Sequence, residues 1–189
     1  YWLLCEYVNN WDSMKNSTYL YKDIEGKAKM VPAWDYDWAW GNINMYSMTG
    51  PFVYDNWHTT LCGMDTFQGG FAEQGYQKEQ WNRYLVKDPY FVTKAFEFYK
   101  KYRPTVIEDI MKEGGAIDSL LEKYRSASLA NDSKWAYSYD KCSGFAFVNG
   151  QQVQTTSQTY EAAVESLRTF IEKRVAWMDA QFTDVQAFY

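Results

Sequence analysis

Val164, Leu167, Ile171, Val175 and Met178 recur at three- and four-residue intervals, the spacing that gathers side chains onto one face of an α-helix. A stripe this long demands a core to bury it, and Thr159 supplies a side-chain oxygen suited to starting the helix. Further upstream, Asp88-Pro89 reads as another helix start, an acidic cap followed by a proline whose fixed φ suits the first turn. Phe91, Ala95, Phe98 and Tyr99 would share its buried face. Pro104 is expected to break that helix before a short one ending at Gly114-Gly115, and Ile117, Leu120, Leu121 and Tyr124 mark the next. At the N-terminus, Tyr1 to Leu4 with Glu6, Tyr7 and Val8 predicts a buried helix that Asn9-Asn10 ends.

Between these helices the pattern changes. Thr18 to Tyr21 is β-branched and aromatic, Asp23 to Gly26 has turn composition, and Lys27 to Val31 alternates polar with apolar, which predicts a β-hairpin. Asn149-Gly150 sits between strand-like runs in 145–153, so 137–156 is expected to be a surface hairpin insertion. From Gly41 to Gly75 there is no sustained period, and a long ordered loop region is expected. The fold class is α+β, mainly helical, with residues 1–189 forming a single domain or part of one.

Composition narrows the function. Of 189 residues 47% are hydrophobic, yet no window approaches the roughly 18 apolar residues of a membrane span. The 19 basic residues are scattered among 24 acidic ones, giving a net charge of -5 and no basic face for nucleic acid. Cys5, Cys62, Cys142 and the sole histidine, His58, lack zinc-ligand spacing. The cysteines are expected to be buried small hydrophobes, and His58 a hydrogen-bonded structural residue. Aromatic residues make up 20% of the chain, which calls for either a bulky core or a stacking surface. Trp34, Trp38 and Trp40 are expected in the core, and Arg83 and Arg103 in surface ion pairs. Tyr1 in place of an initiator Met reads as the start of an excised piece, so any targeting signal is sought elsewhere.

The chemistry lies in an order of residues. Asp12 and Asn16 precede the predicted hairpin, and Asp35-Tyr36-Asp37 follows it, with Asp35 23 positions after Asp12. Kinase-type phosphotransferases place a base Asp and a metal-binding Asn on one loop, then two short strands, then a metal-binding Asp. Magnesium prefers oxygen ligands, which Asp12, Asn16, Asp35 and Asp37 all carry. If Asp35 and Asp37 lay in extended backbone, both would face one side about 7 Å apart, given a rise near 3.3 Å per residue.

These residues resemble the signature of the CotH kinase family. The matching runs are Asn9-Asn10-Trp11-Asp12-Ser13-Met14-Lys15-Asn16, then Tyr19-Leu20-Tyr21-Lys22, then Met30-Val31-Pro32-Ala33-Trp34-Asp35-Tyr36-Asp37-Trp38-Ala39-Trp40-Gly41. Asp88-Pro89-Tyr90-Phe91 and Arg174-Val175-Ala176-Trp177-Met178 are similar to that family's C-terminal region. The resemblance implies an atypical protein-kinase-like C-terminal lobe that moves phosphate from ATP to Ser hydroxyls of spore-coat or other extracellular proteins. By the same resemblance, Asp12 would be the catalytic acid of the loop. Asn16, Asp35 and Asp37 would hold Mg2+, or Mn2+ or Ca2+ in its place. The family pattern also includes nucleotide-contacting basic residues N-terminal to the matched stretch, so the chain is expected to bind ATP poorly unaided. Two other functions fit parts of the sequence. One is a carbohydrate-binding or calcium-stabilised interaction module built on the tryptophans, which would reach a cell-surface partner alongside other domains. The other is a glycosidase with paired carboxylates.

Overall fold

One buried stripe on each of three helices holds the molecule together, and the stripes come from opposite ends of the sequence. This computed structural model describes residues 1–10, 17–30, 33–42, 54–55, 57, 82–135, 145–148, 151–154 and 159–185. Helix α1 spans Trp2–Val8 and ends at Asn9, whose left-handed backbone (φ 52°) turns the chain out of the helix. Strands β1 (Leu20–Tyr21) and β2 (Lys29–Met30) pair antiparallel, Leu20 opposite Met30. Their connection is tightened by the Gly26 N–H donating to the Asp23 carbonyl at 3.1 Å.

Helix α2 (Asn82–Leu85) leads to α3 (Pro89–Tyr102). There the Asp88 carboxylate accepts from the Phe91 N–H at 3.0 Å, as its sequence pattern predicts. The face of α3 that becomes buried is Val92, Ala95, Phe96 and Tyr99; Phe98, expected among them, is half exposed. Pro104 does not break the helix. The chain continues through a π-turn, Arg103–Ile107, into α4 (Glu108–Met111). Widening the turn makes room for the ring, and the Thr105 hydroxyl donates to the Lys101 carbonyl one turn back (3.2 Å).

Helix α5 (Ala116–Trp135) follows Gly114, then β3 (Phe145–Val148) and β4 (Gln151–Gln154) pair antiparallel across a two-residue connection. The expected hairpin is thus present. Helix α6 (Tyr160–Gln181) starts at Thr159, whose hydroxyl accepts from the Ala162 N–H at 3.0 Å. Leu120 and Tyr124, expected to pack, are about half exposed on α5. That helix meets α6 through the Arg168–Asp118 and Arg125–Glu161 pairs, and its Ile117 packs against the core.

The core joins Trp2 and Val8 of α1, Val92 and Phe96 of α3, Ile107, and Ile171, Val175 and Met178 of α6. Phe182, just past α6, stacks on Tyr99 at 4.2 Å and meets Phe96 edge-on at 4.9 Å. Trp57 wedges between Trp2 (5.5 Å) and Trp177 (4.7 Å). Much of the aromatic excess is therefore core, where burying each large side chain contributes about 1.5–3 kcal/mol. Among the described residues, no helix is long and apolar enough to cross a membrane.

Candidate functional site around Asp35

Helix α1 ends at Asn9, three positions before Asp12 in the sequence. The last carbonyls of any helix lack intrahelical partners and carry partial negative charge, so a buried helix end needs a donor. Arg174 supplies it from α6. Its Nε and Nη2 donate to the Glu6 carbonyl at 2.9 and 2.6 Å, and Nη2 also reaches the Glu6 carboxylate at 3.1 Å. Nη1 donates to the Tyr54 carbonyl at 2.6 Å, and the guanidinium lies over the Trp177 ring, 4.7 Å from its centroid. Burial pulls the Arg174 pKa down to about 10 against the opposing pull of Glu6, which leaves the group charged at neutral pH. Asn9 and Asn10, the next residues of the chain, are also fully buried.

The acidic segment 33–42 is fastened to that same helix end. The Trp40 N–H donates to the Val8 carbonyl at 2.7 Å, and the Trp40 ring meets Tyr7 edge-to-face at 4.9 Å. The Tyr36 hydroxyl and the Cys5 thiol share a hydrogen bond at 3.4 Å, and burial pushes the Tyr36 pKa well up, so the phenol stays protonated. Gly41 (φ 77°) packs so closely on α6 that a Cβ there would lie 2.6 Å from Phe170 Cδ2. Across from these contacts, the Ser17 hydroxyl donates to Asp35 Oδ2 at 3.1 Å. Residues 8 and 17, which flank the 11–16 stretch, thus both bond to the 35–40 segment. The hairpin folds back and brings its two ends together. Asp12 and Asn16 themselves lie outside the described residues.

Backbone strain concentrates at this junction. Among the described residues, the non-glycine positions with positive φ are Asn9 (52°), Ser17 (47°), Asp35 (60°) and Trp40 (59°). Each such conformation costs on the order of 1–3 kcal/mol, and such costs gather where a precise side-chain arrangement is needed. Left-handed Asp35 overturns the expectation of extended backbone. Asp37 lies in the turn that follows, its carbonyl accepting from Asn42 Nδ2 at 2.8 Å, so the two acids do not share a strand face. Both side chains are exposed, and neither belongs to an ion pair among the described residues. Asp35 Oδ1 accepts no hydrogen bond from a described residue, and an exposed carboxylate oxygen is a ligand type that hard cations take. Among the described residues no three His, Cys, Asp or Glu side chains converge as a metal site would need.

Other expectations divide. Trp34 is 62% exposed rather than core, whereas Trp40 packs on the core. Arg103 joins Asp179 (2.9 Å) and Glu108 (2.8 Å), a structural pair, and Cys5 is buried. His58, Cys62, Cys142 and the Arg83 side chain lie outside the described residues. Arg174 went unassigned in the sequence although the signal was there: it occupies the same helix face as Ile171, Val175 and Met178. A charge on an apolar stripe marks a buried ion pair. Ser17 offered no comparable signal.

An apolar groove of about 510 Å3 runs between α1 and α3, lined by Leu3, Leu4, Phe91, Phe98 and Val106 and reaching Trp40. It contains no carboxylate and does not suit magnesium–phosphate chemistry. A protein-family model described as CotH kinase protein matches residues 1–178. No curated protein and no solved structure matches the chain significantly.

Proposed function

The chain belongs to the CotH kinase family, and on that premise we propose that it is the metal- and acceptor-handling part of a phosphotransferase that moves phosphate from ATP to protein Ser hydroxyls. The observation that carries this proposal is the closure of the hairpin: Val8 to Trp40 on one side and Ser17 to Asp35 on the other bracket the stretch with Asp12 and Asn16. Asp12 then orients the acceptor hydroxyl and takes its proton. Asn16, Asp35 and Asp37 offer oxygens to Mg2+, or to Mn2+ or Ca2+ in its place. The cation, when bound, neutralises charge on the phosphates. Asp35, exposed, in no ion pair among the described residues and held in left-handed backbone, fits that task. The family also supports work at a spore coat or outside the cell, where protein hydroxyls are the acceptors.

The test is Mg2+-dependent transfer of phosphate from ATP to a Ser-containing protein, measured on the full-length protein. Asp12→Ala and Asp35→Ala should each abolish transfer while circular dichroism stays that of the parent; activity surviving in both variants rejects the assignment.

One observation favours a second function. Trp34, the neighbour of Asp35 in the chain, and Tyr19 and Tyr21 at the first strand of the hairpin are more than half exposed, as the rings of a carbohydrate platform would be. Titration with a panel of polysaccharides, followed by tryptophan fluorescence, should quench or shift the Trp34 signal; no response across the panel rules this out.

A further inference from the structure

Among the described residues, the Ser17 side chain bonds to the carboxylate of a candidate cation ligand. Its hydroxyl donates to Asp35 Oδ2 at 3.1 Å from the position directly after Asn16. Both partners hold left-handed backbone, φ 47° at Ser17 and 60° at Asp35. A serine that avoided this strain would adopt extended backbone and aim its hydroxyl elsewhere. An exposed aspartate left alone would sample several rotamers, and each would have to be given up to bind a cation. With Oδ2 engaged, the carboxylate plane is fixed and Oδ1 stays open. Partners of this kind, one bond removed from a metal, orient the ligand, and their loss typically weakens metal binding about 10- to 100-fold.

We propose that Ser17 is a positioning residue that presets the Asp35 carboxylate for a divalent cation, coupling the end of the Asp12–Asn16 stretch to the acid beyond the hairpin. This inference rests on the assignment of Asp35 as a cation ligand. It predicts that metal affinity, more than turnover at saturating metal, depends on a hydroxyl at position 17.

The informative variant is Ser17→Gly. Glycine adopts the observed φ without steric cost, so the backbone keeps its course while the donor disappears. Mn2+ serves as the probe, read by its EPR signal in titrations of the full-length protein, with thermal melting alongside. Ser17→Gly should weaken Mn2+ binding about tenfold with little change in melting temperature, at the low end of the range because the bond is exposed. The metal concentration for half-maximal turnover should rise in step, with saturated kcat close to that of the parent. Asp35→Ala separates the two ideas. If Asp35→Ala abolishes Mn2+ binding but Ser17→Gly leaves it unchanged, the role of Ser17 is overturned and that of Asp35 stands. If Asp35→Ala leaves Mn2+ binding intact, the cation-ligand assignment fails and the inference goes with it. Should the glycine variant melt early, Ser17→Ala in the same titration decides, and parental affinity there overturns the proposal.

Discussion

Arg174 and Glu6 form an ion pair at 3.1 Å in which both side chains are wholly shielded from solvent, although 168 residues separate them. Taking two charges out of water costs several kcal/mol each, and the pair is tolerable because the guanidinium also satisfies the Glu6 and Tyr54 carbonyls. Its structural consequence is local. It fixes the end of α1, two residues before Val8 accepts from Trp40.

Removing one charge should therefore hurt more than removing both. Arg174→Met is expected to destabilise the fold by about 3–5 kcal/mol, since the buried Glu6 carboxylate loses its cationic partner. Adding Glu6→Gln should recover part of the loss. Urea unfolding of the two single variants and the double variant checks this through a double-mutant cycle, and purely additive losses would contradict it.

Gly41 meets two constraints at once. Its φ of 77° disfavours any side chain, and a Cβ would sit 2.6 Å from the Phe170 ring. Gly41→Ala is expected to cost about 1–3 kcal/mol from overpacking, in addition to the backbone term. Pairing it with Phe170→Leu should relieve the contact but leave the backbone penalty, so only partial rescue in thermal melts is expected.

Acid should loosen α5 before the core opens. The Gly114 N–H and then Arg168 hold the Asp118 carboxyl below its ordinary range, and the Glu161 backbone N–H with Arg125 does the same for Glu161. A carboxyl with a depressed folded pKa contributes stability above its unfolded pKa and loses it as pH falls through the folded one. Hydrogen exchange of α5 amides should accelerate below about pH 4 while α3 and α6 amides stay protected. Simultaneous loss of protection in all three helices would contradict the expectation.

Phe182 carries an outsized share of the aromatic packing for a residue beyond a helix end, touching Tyr99, Phe96 and Trp57. Phe182→Ala is expected to cost about 3–5 kcal/mol. A denaturation midpoint close to that of the parent protein would show that the site collapses around the gap.

The sequence by itself determined the elements that depend on near neighbours: the Asp88 and Thr159 helix starts, the Asn9 helix end, both hairpins, and the order of acids around the first hairpin. Caps, turns and periodic stripes act within a few residues, so composition and spacing suffice to read them. Tertiary structure alone decided that Glu6 is the partner of Arg174 and that Phe98, Leu120 and Trp34 stay out of the core. It also decided that Pro104 widens a helix rather than ending it, and that Asp35 turns left-handed to meet Ser17. Each of these outcomes depends on what packs against the residue from a distant part of the chain. Spacing along one strand or helix carries no record of that partner.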